Sequence, residues 1–296
     1  NSPSHYRTGS FGMSQQLAVK NITEVYRQNP AVFERPLKQR LVRWLIWVGF
    51  SAFTIYCLAQ LGFFNFSMIK SGLGKLYGVV SFMLPPAAHG RFWDFLWAIL
   101  ETLGMAFLGT LLAALLAVPM GFLGSKNVVG NPVFHFGLRR IFDFVRGIDA
   151  LIWALVWINV VGLGPFAGIL AIACSVSGEL AKLFSEAIEN VDRKPIDGVR
   201  ASGANTIQTM RYAILPQVFP VILSTSLYYF ESNTRSATIL GIVGAGGIGL
   251  QLADRIRVLA WDQASLIIIM ILVTVYLIDN LSNKVRHHFI KAREIN

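Results

Sequence analysis

Long, mostly apolar runs recur along the chain, separated by short polar, basic or glycine-rich breaks. A helix needs roughly 20 such residues to cross the hydrocarbon core of a bilayer. The runs lie at about Leu41 to Phe64, Phe95 to Phe122, Ile148 to Val161, Phe166 to Ile188, Ala213 to Glu231 and Ala264 to Leu281. The third is short unless it begins upstream, and the break "GLGP" separates it from the fourth. The pattern predicts an all-α integral membrane protein of about six transmembrane helices. An even number of crossings puts both termini on one side.

Three segments depart from the pattern. Asn131 to Gly147, "NPVFHFGLRRIFDFVRG", alternates aromatic and basic residues at helical spacing, as an interfacial helix leading into the third span would. Gly241 to Leu252, "GIVGAGGIGLQL", is apolar but too short and glycine-rich to cross, and suits a bent or re-entrant piece buried among helices. Asp197 to Val218, "DGVRASGANTIQTMRYAILPQV", is polar and surface-like between two apolar runs. Asp192 and Asp197 suit the start of a helix, where a carboxylate meets the positive end of the dipole. Gly203 is the natural turn residue between two short helices. Val199, Ala201, Ile207, Met210 and Tyr212 give those helices small apolar faces able to dock in a groove. Pro216 falls where the fifth span is expected to start, where a missing N–H costs nothing.

Composition agrees. Hydrophobic residues make up 54% and charged residues 14%, about half the charge of a soluble domain. The net charge of +10 comes from Lys and Arg scattered beside spans rather than from a nucleic-acid footprint. Arg7, Lys20, Arg27, Arg35, Lys38, Arg40 and Arg43 precede the first span, and Lys284, Arg286, Lys291 and Arg293 follow the last. Both ends therefore read as cytoplasmic. The same parity puts Lys126, Arg139, Arg140 and the segment Glu189 to Tyr212 inside, and leaves Asn65 to Arg91 outside as a loop. The expected organisation is a tail (1–40, with 1–12 read as an added leader or a disordered start), a first span and external loop (41–91), a transmembrane domain (92–285) with its loop at 189–212, and a tail (286–296). Cys57 and Cys174 lie in apolar runs and read as packing residues.

Glu231 and Arg235 are four apart on one helical face, with Asn233, Ser236 and Thr238 close by. Ionisable groups this near hydrocarbon mark either a polar pathway or a buried pair. Arg can bind an oxyanion in bidentate fashion; equally, Glu231 can neutralise Arg235 at the outer interface. Glu179, with Ser175 and Ser177, lies in the fourth span and Asn159 near the end of the third, where they suit either the same pathway or interhelical hydrogen bonds. Glu101 and Asp279 read as span-end residues reaching headgroups or basic partners. Gly244, Gly246 and Gly249 spell G-x-G-x-x-G without the βαβ context of a dinucleotide site, and "GLGKLYG" near Lys75 fails the P-loop pattern. The chain is therefore expected to bind no cofactor, and any ATP and magnesium would sit on partner subunits. His287 and His288 read as solvated rather than metal-binding.

The loop resembles the coupling loop of ATP-binding-cassette importer permeases: Glu-Ala-Ala, three residues, Gly, nine residues, then Ile, one residue, Leu-Pro. Gly203 and Leu215-Pro216 match that register and Asp197 stands at the Glu position, whereas Gly198, Val199 and Ala213 depart from it. With "GLGPFAGILA", "LFSEAIENV", "SGANTIQTMRYAILPQVFP" and "YYFESNTRSATILGIVGAGGIG", the stretch from about Phe92 to Phe289 resembles a phosphonate transporter permease. The resemblance implies a type I importer permease fold, a homodimer, two ATPase subunits and an external binding protein that delivers phosphonate. It makes Asp197, Gly198, Gly203, Ala204, Leu215 and Pro216 the positions that couple to the ATPase. The permease would have no catalytic residues of its own. Phosphite, phosphate or methionine are alternative cargoes; an intramembrane enzyme and a passive channel are the competing classes.

Overall fold

The computed structural model describes residues 37–63 and 65–294, with side chains from residue 40 to residue 286. The basic N-terminal tail and the His287-His288 side chains thus lie outside what is described. Among the described residues every regular element is helical. Helix α1 (Leu37–Gln60) is followed by α2 (Phe66–Phe82), a helix where an external loop was expected. The chain divides into two units between Leu76 and Tyr77. Everything from α3 onward belongs to the second.

At the centre of the second unit are α3 (Phe92–Gly124) and α6 (Pro165–Glu189). The facing stripe of α3 is small: Ala106, Gly109, Ala113, Ala117, Gly121 and Gly124 are all buried. A methyl group at Gly109 would lie 2.8 Å from the Ile172 side chain, and one at Gly121 2.8 Å from Phe184. Between apolar helices in lipid there is little hydrophobic drive, so close backbone approach over small residues supplies the dispersion contacts. The two contacts keep one register, so α3 and α6 run parallel. The chain must return between them.

That return is α4 (Pro132–Arg146) and α5 (Ala150–Val161), bent by 81°. Asn131 caps α4 by accepting from Val133 and Phe134 backbone N–H groups at 3.0 and 3.3 Å, and Asp149 caps α5 by accepting from Leu151 at 2.8 Å. The 12 residues of α5 span only about 18 Å at 1.5 Å per residue. The shortness seen in the sequence is therefore real, and the upstream helix completes the bent pair. Among the described residues five helices are long and apolar enough to cross a membrane, six with this pair counted as one.

After α7 (Arg193–Ala201) and the single turn α8 (Thr206–Thr209), the chain does not stop before the next span as expected. A π-turn at Met210–Ile214 carries α8 directly into α9 (Leu215–Leu240). In the wider turn Leu215 N–H donates to the Met210 carbonyl, which accommodates a Pro216 that cannot donate and whose ring crowds the preceding turn. Pro216 therefore lies within a continuous helical stretch. Its start is set instead by Asn205 and Gln208, which cap each other's backbone at 2.9 Å.

A second π-turn, Gly241–Ala245, ends α9, and Gly244, Gly246 and Gly247 take left-handed backbone before α10 (Gly247–Arg257). Gly249 is required sterically: a methyl group there would collide with the Thr238 carbonyl. This is the bent, buried piece that the glycine run predicts. Helix α11 (Trp261–Glu294) then runs antiparallel to α9, its Asp279 beside Arg235 and its Arg286 beside Glu231. One end of the bundle thus carries the α7–α8 loop, and the other the glycine turn.

Candidate functional site

Two short helices joined at a left-handed Gly203 (φ 86°) form the loop, as the sequence implies. Gly203 N–H donates to the Arg200 carbonyl at 2.9 Å. Asp192 caps α7 by accepting from Lys194 N–H at 3.1 Å. Asp197, expected near a helix start, instead sits exposed in mid-α7, because the helix begins at Arg193. Ile196 is buried and anchors the loop to the bundle. The Gln217 side chain accepts from Asp192 N–H at 3.0 Å and donates to the Asp192 carbonyl at 3.3 Å, tying the loop to α9 next to Pro216. Beyond these ties the loop is outward-facing. Gly198 and Pro216 are exposed, Leu215 is half-buried, and Val199, Ser202, Gly203, Ala204, Gln208 and Tyr212 line an open groove of about 710 Å³. Ile207 at 74% exposure is an apolar side chain with nothing from this unit to cover it.

The Glu231–Arg235 pair is present at 3.8 Å, but it is half of a longer chain of charges. Arg235 also reaches Asp279 at 3.4 Å, and Glu231 reaches Arg286 at 3.4 Å. Two cations and two carboxylates alternate across α9 and α11, so the arrangement is neutral and Arg235 is doubly engaged. Asp279, given no role from the sequence, is a partner of Arg235. The other nearby polar residues point elsewhere. Asn233 is buried and donates to Thr110 Oγ1 on α3 at 2.8 Å. The Ser236 and Thr238 hydroxyls donate to carbonyls one turn back, at 3.4 and 3.3 Å. Ser177 does the same to Cys174 at 3.0 Å, and Asn159, exposed on α5, to Leu155 at 2.7 Å. The residues expected to line one pathway are thus distributed over several places. Glu101, exposed near the glycine end, has its carboxylate against Gly246.

Glu179 belongs to a different grouping. It lines a cavity of about 490 Å³ with Arg146 of α4, Lys182, Leu183 and Glu186 of α6, and Tyr229 of α9. Lys182 Nζ donates to Asp143 at 2.9 Å. Arg146 has neither an ion pair nor a side-chain hydrogen bond among the described residues. A larger groove of about 740 Å³ between α3 and α9 is walled by Phe107, Leu111, Phe219, Ile222 and their apolar neighbours. It holds no charge. The sequence did carry a signal for the polar cavity, since Glu179, Lys182 and Glu186 repeat at three- and four-residue spacing on one helical face.

An apolar helical bundle with a bent third crossing, an exterior two-helix loop and a glycine-rich reversal is a specific combination. Residues 114–287, over half of the chain and including the loop, match the family model of the binding-protein-dependent transport system inner membrane component. The chain belongs to that family. This inner membrane component is 35% identical over 260 residues to the phosphate-import permease protein PhnE of Mycolicibacterium smegmatis, covering 86% of this chain and 48% of that one. It therefore spans about half of that relative's length. It is 32% identical over 229 residues to the phosphite transport system permease protein PtxC of Stutzerimonas stutzeri, covering 77% and 82% of the two chains. Among solved structures, a chain of the inward-facing MetNI methionine ABC transporter matches with a TM-score of 0.61 and 20% identity, over 69% of this chain and 99% of that one. That likeness is one of fold: the component has the type I importer permease fold, a multi-pass inner membrane architecture.

Proposed function

We propose that this chain is the membrane-spanning permease subunit of an ATP-driven importer whose cargo is a phosphonate or a related phosphorus oxyanion. The observation that carries the reading is the α7–α8 loop. It is built on caps and a left-handed glycine, tied through Gln217 to α9, and leaves Ile207 and an open groove facing outward. Such a rigid, shallow apolar element suits a partner's groove better than a small ligand. Docked on an ATPase, it would pass motion into α9 through one continuous helix. On this reading Asp197, Gly198, Gly203, Ala204, Leu215 and Pro216 flank the ATPase contact. ATP and magnesium belong to the partner. A second copy of this chain completes the passage, a soluble binding protein delivers cargo, and the basic tails and loop lie on the cytoplasmic side. Relatives that are named for phosphate and phosphite transport support the cargo class.

The test is reconstitution in vesicles with the cognate ATPase and binding protein. Ile207→Asp on the exposed loop face should abolish both uptake and the stimulation of ATPase by loaded binding protein, with the bundle still folded. Gly203→Val should do the same, with added backbone strain. Uptake that continues without ATP, or with either variant, would mean a channel instead. Phosphite, methylphosphonate, phosphate and methionine offered singly assign the cargo.

A further inference from the structure

We propose that the cavity lined by Arg146, Glu179, Lys182, Glu186 and Tyr229 is a transit site that holds a phosphorus oxyanion in its singly protonated form. The proposal rests on the transport reading above and names a site for that cargo inside the permease.

Place comes first. Glu179 lies ten residues before the end of α6 at Glu189, about 15 Å along the helix, on the half of the bundle nearest the coupling loop. Charged groups at such a position cannot face hydrocarbon cheaply; they turn toward a water-filled space or toward protein. The cavity supplies that space: its roughly 490 Å³ opens to solvent and leaves room for a small oxyanion. The larger groove between α3 and α9 offers none of the required charge.

Chemistry then selects the occupant. Arg146 lines this cavity, is exposed, and makes no ion pair or side-chain hydrogen bond among the described residues, so its guanidinium donors are available for oxyanion oxygens, with Asp143 as the nearby charge. Lys182, also lining it, is shared with Asp143, which Arg140 pairs in turn at 3.4 Å. Arg235 contrasts with Arg146: both its neighbours are already carboxylates. A site of cations alone would hold a dianion too tightly to release. Here Glu179 and Glu186 stand opposite the cations as acceptors, and a carboxylate can accept only from an oxyanion that still carries a P–OH. Arg146 would hold the P–O⁻ oxygens while Glu179, which already accepts from the Tyr229 hydroxyl, accepts the P–OH on its remaining lone pairs. The second ionisation of such groups falls near pH 6 to 7, so the protonated form is abundant at neutral pH. Around Glu179 the facing ionisable groups are Arg146 and Asp143 from α4, Lys182 and Glu186 from its own helix, and Tyr228 and Tyr229 from α9. Helix α5 contributes none. With Asp143 and its second partner Arg140 included, three carboxylates stand against three cations, and the balance leaves a shallow well, which is what a transit site needs.

The experiment uses the full complex with ATPase and binding protein in vesicles, with phosphite, methylphosphonate and inorganic phosphate as probes, reading cargo moved per ATP hydrolysed from pH 6 to pH 8. Wild type should lose cargo per ATP as pH rises and the probe becomes a dianion. Arg146→Gln should reduce cargo per ATP at least tenfold while binding-protein-stimulated hydrolysis stays within twofold, and Arg146→Lys should restore part of it. Glu179→Gln, whose amide can both donate and accept, should flatten the pH profile. If Arg146→Gln keeps wild-type cargo per ATP, or Glu179→Gln keeps the wild-type profile, the site is refuted while the transport reading stands. If the wild-type complex moves none of the three probes, the transport reading falls instead.

Discussion

Two groups of charges sit in the same bundle and behave differently. Across α9 and α11, Asp279, Arg235, Glu231 and Arg286 form an alternating chain in which every charge has a partner within 4 Å. Around the α4–α6–α9 cavity, Arg146 has no such close partner among the described residues, only the more distant charge of Asp143, while Glu179 accepts from the Tyr229 hydroxyl and, with Glu186, lines the cavity. Satisfied charges join two helices. An unsatisfied guanidinium beside acceptors is free for something that arrives. By this criterion the arginine that looks most functional in sequence, Arg235, is the more structural of the two, and Arg146 the more available.

The sharpest way to break the comparison is to remove the hinge of the paired chain. Glu231 is the least exposed member, at 16%, and it alone separates Arg235 from Arg286. Glu231→Ala leaves two guanidiniums with no carboxylate between them, Asp279 remaining on the far side of Arg235. Removing one partner of a buried pair costs about 3–5 kcal/mol; with Arg235 half exposed, about 2–3 kcal/mol is expected. Thermal unfolding of the purified protein in detergent measures it. The double variant Glu231→Ala with Arg286→Ala should be less destabilised than the sum of the singles. Strict additivity would mean the two side chains do not interact.

Asp279→Ala acts at the more exposed end, where the side chains of Asp279 and Arg235 are 36% and 47% exposed. Solvent screening limits the loss to about 0.5–1 kcal/mol, and Glu231 remains to hold Arg235. The same unfolding assay should therefore rank Asp279→Ala well below Glu231→Ala. If the order reverses, Arg235 depends on Asp279 and the chain is centred on α11.

Legibility in sequence follows the range of the physics. The spans, the amphipathic helix α4, the Gly203 turn and the glycine reversal are local, set by period, length and backbone freedom, and each is visible in single-sequence pattern. Pro216 does stand in the first turn of α9, but the five-residue π-turn just before it joins that turn to α8, and no residue type announces such a turn. The partners of Arg235 and Glu231 lie 44 and 55 residues away; which helix packs beside α9 is a tertiary fact that spacing does not encode. The cavity is intermediate. Its Glu179, Lys182 and Glu186 share a visible helical face, but Arg146 reaches them only because α4 bends by 81° into α5.

Asn233 gives the smallest effect and the clearest test of which polar groups are structural. It is buried between α9 and α3, with its amide on Thr110 Oγ1 at 2.8 Å, while the Thr110 hydroxyl itself donates to the Ala106 carbonyl at 2.6 Å. Removing the amide leaves Thr110 satisfied as a donor, so no orphaned group remains to be desolvated. Interhelical hydrogen bonds of this kind average about 0.6 kcal/mol in membrane proteins. Asn233→Ala, which removes the amide without adding bulk at this buried contact, should cost about that much beyond the loss of packing and leave cargo per ATP unchanged. A large loss of transport with unchanged stability would place Asn233 on the path after all, and would move the passage from the α4–α6–α9 cavity toward the α3–α9 contact.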